Sequence, residues 1–171
     1  MRVHTIVICL VAALLAASAA GAVAQEREPL KPFKLKTLDK QEALLKDVLG
    51  RKATMVVFFF PTCKFCNVAF PALQKFYDTY RAQGLAMVWV NAVPQEEKLI
   101  AKWRVDHGYT VPILLGASTH AIEKDYKVVM TPTHYLLDAT GRIISTHGGF
   151  QPGDEKKLED AILDALKEKQ K

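Results

Sequence analysis

Cysteine is scarce in this chain, with three in 171 residues. Cys9 falls in an apolar N-terminal run, which leaves Cys63 and Cys66 for the body of the protein. Two sulfurs so close in sequence close too short a loop to restrain the unfolded chain much, so a disulfide-stapled scaffold is excluded. No second Cys/His pair stands at ligand spacing. His107, His120, His134 and His147 are scattered singly, which argues against a zinc site. Blocks of like charge are also missing. The 23 Lys and Arg and the 18 Asp and Glu are interspersed, with a formal net charge of +5. No basic cluster alternates with aromatics, so no nucleic-acid partner is expected. There is no internal repeat and no low-complexity linker.

The first 24 residues have the pattern of a secretory signal peptide. Arg2 and His4 open it, an apolar run from Ile6 to Ala17 follows, and Ala22-Val23-Ala24 is an A-x-A-like cleavage site. Cleavage there would leave residues 25–171, the size of one domain, with no stable membrane insertion. The uncleaved alternative is a membrane anchor. An exported protein meets an oxidising compartment, the bacterial periplasm being the expected one. A cysteine pair three apart is then better explained by reactivity than by architecture.

Past the leader, residues 25–36 read as an extended lead-in ending in an edge strand at Phe33–Leu35. Asp39 and Glu42 resemble a capping box ahead of a helical stripe of Leu44, Leu45, Val48 and Leu49, which Gly50 would stop. Residues 53–60 are apolar on both faces, as in a central buried strand. Cys66, Phe70, Leu73, Tyr77 and Tyr80 share one helical face, with Ala69 and Phe76 beside them. A strand over 85–93, a helix opened by Pro94, a short strand over 111–115 and a brief helical piece over 121–125 complete a β-α-β-α-β order. Strands at 134–137 and 142–146, joined by Asp138-Ala-Thr-Gly141, form a hairpin, and Leu158, Ile162, Ala165 and Leu166 mark a last helix. The expected fold is α/β: a mixed sheet of parallel βαβ units plus a C-terminal antiparallel hairpin, flanked by helices.

Cys63 follows the buried strand and sits where a helix begins. Unpaired N–H groups and the partial positive charge of a helix N-terminus stabilise a thiolate there. The thiolate is the attacking species in disulfide exchange. Cys66 lies one turn further on, within reach to resolve a mixed disulfide. A Cys-x-x-Cys pair beside a βαβ pattern is thus a redox motif with a mechanism. Lys64 can add Coulomb stabilisation to the thiolate, weakened by screening, and Phe65 can offer substrates an apolar contact.

The stretch Val56-Val-Phe-Phe-Phe-Pro-Thr-Cys-Lys-Phe-Cys66, then Phe70-Pro71, resembles the strand, active site and helix of the thioredoxin superfamily, most closely its exported TlpA/ResA-like thiol–disulfide oxidoreductases. Tyr126-Lys-Val-Val-Met-Thr-Pro-Thr-His-Tyr-Leu-Leu-Asp-Ala-Thr-Gly-Arg-Ile143 resembles that family's second signature. The resemblance implies a thioredoxin-like fold, with Cys63 as exposed nucleophile and Cys66 as resolving cysteine. It implies that Pro132 is a cis-proline facing the sulfurs. It also implies that the Thr131 backbone pairs with an extended protein substrate, as in strand addition. No metal or organic cofactor is implied. The partners are protein thiols and disulfides, together with a membrane electron donor if the chain works as a reductase, and the expected state is a monomer.

Three positions depart from the family pattern. Thr62 replaces a common Trp, Val57 stands where thioredoxins bury an Asp, and Ala69 stands where TlpA/ResA-like proteins often carry a Glu. The usual carboxylate acceptors for the proton of Cys66 are therefore missing. The rival readings are a Sco-like copper-handling protein, a peroxidase and a non-catalytic binding module. The first lacks its three-residue cysteine spacing and its His. The second lacks its Thr, because residue 60 is Phe.

Overall fold

A computed structural model describes residues 26–168. The leader and Cys9 lie outside the described residues. Seven strands form one sheet: β1 (Lys34–Thr37), β2 (Glu42–Leu44), β3 (Ala53–Phe59), β4 (Leu85–Asn91), β5 (Ile113–Leu115), β6 (Thr133–Asp138) and β7 (Ile143–Gly148). Their spatial order is β2-β1-β5-β4-β3-β6-β7. The strands β3, β4 and β5 run parallel, and β6 and β7 are added antiparallel at one side. Four helices flank the sheet: α1 (Lys64–Tyr80), α2 (Glu97–His107), α3 (Thr119–Tyr126) and α4 (Asp154–Lys167).

The strand β3 is buried at every position, which is why its sequence shows no alternation. Its odd and even residues serve two different cores. Met55, Val57 and Phe59 pack with Cys66, Ala69, Phe70 and Leu73 of α1 and Leu158 and Ile162 of α4. Val56 and Phe58 pack with Val88, Val90, Ile122, Tyr126 and Tyr135 on the other face. Under α1 the rings of Phe70 and Trp89 stack with centroids 4.3 Å apart, and Phe59, Trp103 and Tyr109 surround them.

The segment after Asp39 differs from the helix expected of it. Residues Glu42–Leu44 form β2, paired antiparallel with β1, and only Leu45–Val48 turn, as a 3₁₀ helix. The turn between the strands is closed by Thr37, whose N–H donates to Gln41 O at 2.9 Å and whose Oγ1 accepts from the Gln41 N–H at 3.2 Å. Ala43 and Leu45 are thereby buried in the second core, a tertiary gain that outweighs local helix propensity. The strand β1 is consequently internal, between β2 and β5, rather than an edge. Gly50 does not cap a helix. A Cβ there would lie 2.2 Å from Ala53 O and 2.6 Å from Ala86 N, so the residue is needed for close backbone approach.

The hairpin at the other end follows its turn chemistry. Asp138 Oδ1 accepts from the N–H and Oγ1 of Thr140 and the N–H of Arg142, and Gly141 takes the left-handed conformation at φ 83°.

Candidate active site

The strand β3 ends at Phe59, and the chain turns through Pro61 and Thr62 into α1. Cys63 is the N-cap of that helix, and its Sγ accepts from the Cys66 N–H at 3.1 Å. Cys63 and Cys66 form a disulfide with their Cα atoms 5.2 Å apart. Cys66 is fully buried against Val57 and Ala69 in the first core. Cys63 is the outer sulfur, yet only 5 % of it is exposed, so it is less open than the resemblance implies.

The cover is the loop before β6. The Thr131–Pro132 peptide bond is cis. Thr131 Oγ1 donates to Cys63 Sγ at 3.4 Å, and the Thr131 carbonyl oxygen lies 3.6 Å from the same sulfur. Two further contacts hold the loop: Gly149 N–H donates to Pro132 O at 2.7 Å, and Thr133 Oγ1 donates to Met130 O at 2.6 Å. The structure thus brings Cys63, Cys66 and Thr131 together. Lys64 and Phe65 point outward beside them, Phe65 with 62 % of its surface exposed. Val129 and Met130 are also exposed on the loop leading to Thr131. Behind that loop lies a mainly apolar cavity of about 250 Å³, lined by Phe60, Ala92, Val93, Ile122, Met130 and Thr131 among others.

Two supports of the cysteine turn are not evident from sequence. Asn67 Nδ2 donates to Pro61 O at 2.9 Å and to Cys63 O at 3.1 Å, while its Oδ1 accepts from Trp103 Nε1 at 3.0 Å. Glu96 accepts from the Thr62 N–H at 3.0 Å and from Thr62 Oγ1 at 2.7 Å. Trp103 and Glu96 arrive from the segment after β4, so only the fold brings them to the turn. The one local signal is an Asn four residues past a helix N-cap.

His134 is a buried group near the site. It pairs across strands with Val57, and opposed residues on antiparallel strands share a face. Its side chain therefore points to the side that holds Cys66. Burial lowers its pKa to about 4, so the ring is neutral. Nδ1 lies 3.2 Å from His147 O and must carry the proton, because a carbonyl only accepts. Nε2 is buried without a hydrogen-bond partner. Among the described residues no group of three or more His, Cys, Asp or Glu is placed to hold a metal ion, and no helix is long and apolar enough to cross a membrane.

The AhpC/TSA family model matches residues 27–146. This chain belongs to the AhpC/TSA family. Among curated relatives of this family member, it is 35 % identical over 140 residues to the thioredoxin-like protein YneN of Bacillus subtilis (strain 168), covering 81 % of this chain and 79 % of that one. It is 29 % identical over 160 residues to the sporulation thiol-disulfide oxidoreductase A of the same organism, covering 91 % and 94 %. Among solved structures, the AhpC/TSA chain superposes on StoA from Bacillus subtilis with a TM-score of 0.62 at 24 % identity, covering 78 % of this chain and 97 % of that one. It superposes on a thiol:disulfide interchange protein from a Bacteroides species with a TM-score of 0.70 at 20 % identity, covering 85 % and 92 %. The fold of this AhpC/TSA member is thioredoxin-like, as its cysteine and Thr-Pro signatures imply.

Proposed function

We propose that this chain is a protein thiol–disulfide oxidoreductase working through Cys63 and Cys66. The observation that carries the reading is the disulfide at the N-terminus of α1, covered by the Thr131 hydroxyl and backbone. In the reducing direction, the Cys63 thiolate attacks a substrate disulfide. A Cys63–substrate S–S bond forms, and one substrate sulfur leaves as a thiolate that takes a proton. Cys66 then gives up its proton and attacks Cys63 Sγ. The mixed disulfide breaks, the second substrate sulfur leaves, and the Cys63–Cys66 bond closes. Two electrons and the Cys66 proton have passed to the substrate, the second substrate sulfur takes its proton from solvent, and the oxidising direction is the reverse.

The two sulfurs carry the electrons, so the reaction requires no metal or organic cofactor. Thr131 would align an extended substrate through its backbone. Phe65, with Val129 and Met130, would supply apolar contact around the sulfur, and Lys64 would supply positive charge. We place the mature protein, after cleavage behind Ala24, in the cell envelope as a monomer. If it reduces its substrates there, a membrane electron donor recharges it. Relatives named thiol-disulfide oxidoreductases support the chemistry. Phe60, where a peroxidase of this superfamily carries Thr, counts against a peroxidase.

The test is insulin reduction, together with refolding of a scrambled disulfide substrate. Cys63→Ser should abolish both, and Cys66→Ser should trap a mixed disulfide that dithiothreitol releases. Full activity in Cys63→Ser would overturn the reading.

A further inference from the structure

Glu96 closes the 3₁₀ turn Pro94–Glu96 and precedes α2, but its carboxylate makes no cap for that helix. It reaches across to the cysteine turn instead. One oxygen takes the Thr62 hydroxyl at 2.7 Å and the other takes the Thr62 N–H at 3.0 Å. Thr62 is bonded directly to Cys63. Glu97, next along the chain, pairs with Lys40, whereas Glu96 has no ion-pair partner among the described residues. A negative charge is therefore fixed beside the residue whose own charge changes when the disulfide is reduced.

We propose that Glu96 is a positioning residue for the exchange reaction, holding the cysteine turn through Thr62 and setting the reduction potential of the Cys63–Cys66 pair with its charge. The inference deepens the thiol–disulfide reading and rests on it. Like charges repel, so Glu96 disfavours the Cys63 thiolate and with it the reduced state. It opposes the groups that favour the thiolate: the Cys66 N–H at 3.1 Å, the Thr131 hydroxyl at 3.4 Å and exposed Lys64. The carboxylate thereby moves the pair toward the reducing end of its range. Because the charge is near the surface, salt must weaken its effect, whereas a purely steric tether does not respond to salt in this way.

The measurement is the equilibrium of the full chain with glutathione. Two glutathione thiols reduce the disulfide to the dithiol and become one glutathione disulfide. Glu96→Gln keeps an acceptor for Thr62 and removes the charge. It should shift the equilibrium toward the reduced protein by about threefold, roughly 15 mV at 30 mV per tenfold. The titration midpoint of Cys63 should fall in parallel. The gap from wild type should narrow when salt is raised from about 20 mM to about 1 M. Thr62→Ser, which keeps both donors, should behave as wild type. An unchanged equilibrium, a shift of opposite sign, or a shift undiminished by salt overturns the proposal. If the wild type equilibrates with glutathione but is inert toward protein disulfides, the thiol–disulfide reading fails while the Glu96 comparison remains decided by these same values.

Discussion

Val57 and His134 oppose each other across β3 and β6, one apolar and one a neutral imidazole with a buried, unpartnered Nε2. The sheet face beside Cys66 is thus apolar on one strand and carries a neutral imidazole on the next. This arrangement gives the fold an acid weakness. In the folded state burial holds the His134 pKa at about 4, whereas an unfolded His titrates near ~6.5.

Between those values the unfolded chain binds more protons at this residue than the folded one does. Stability from neutral His134 is therefore complete above about pH 6.5, falls as pH drops, and is gone below about pH 4. The full change is about 3 kcal/mol. Urea midpoints at pH 7, 5.5 and 4.5 should show the fall in wild type, and His134→Leu should flatten it. An equal fall in the variant would assign the effect to other groups.

Thr131 Oγ1 donates to Cys63 Sγ at 3.4 Å. In the reduced protein the same hydroxyl can donate to the thiolate, and hydrogen bonding to a charged form favours it. Thr131→Val keeps the shape and removes the donor. Thiolate absorbance at 240 nm, a routine readout at about that wavelength, should give a Cys63 midpoint higher by about half a unit to one unit. In wild type the midpoint should lie below the ~8.5 of a free thiol. A variant midpoint equal to wild type would show that the contact does not reach the thiolate.

Asn67 ties the cysteine turn to α2 through three hydrogen bonds, one of them from the Trp103 indole. Asn67→Ala leaves the indole N–H and the Pro61 carbonyl without this partner. The expected loss is about 1–3 kcal/mol in urea unfolding, with a change in tryptophan emission. A stability loss without any emission change would place the effect away from Trp103.

Gly116 follows β5, where a Cβ would meet Asn91 O at 2.2 Å and Ile122 Cδ1 at 2.6 Å. Gly116→Ala should destabilise the chain by about 2 kcal/mol or more, because backbone must move. Gly108→Ala is the useful contrast. Gly108 has φ 67° and open space around it, so only the conformational cost of about 1 kcal/mol applies. Equal losses at the two positions would contradict the close approach at Gly116.

Much of this molecule was legible in the chain itself. The run Ala53–Phe59 announced a central strand, because burial on both faces removes alternation. The periodic face of α1 announced its packing side: Cys66, Ala69, Phe70, Leu73, Phe76 and Tyr80 are its buried residues, while Tyr77, expected on the same face, is only half-buried. The misread stretch was Glu42–Leu44. Its apolar positions suit a short helix, and only β1 alongside makes them a strand.

The cysteine pair belongs to the first kind of information. Two sulfurs three apart, after a buried strand and before a helix, are brought together by local geometry, with no distant contact required. Their surroundings belong to the second kind. Thr131, Trp103, Glu96 and His134 come from separate segments, and hydrogen bonds and register place them around the turn. Sequence alone determined that a cysteine pair stands at a helix N-terminus, because strand, turn and helix are short-range structures. Only the tertiary structure decided which charges and donors face each sulfur, because those distances depend on how the sheet orders its strands.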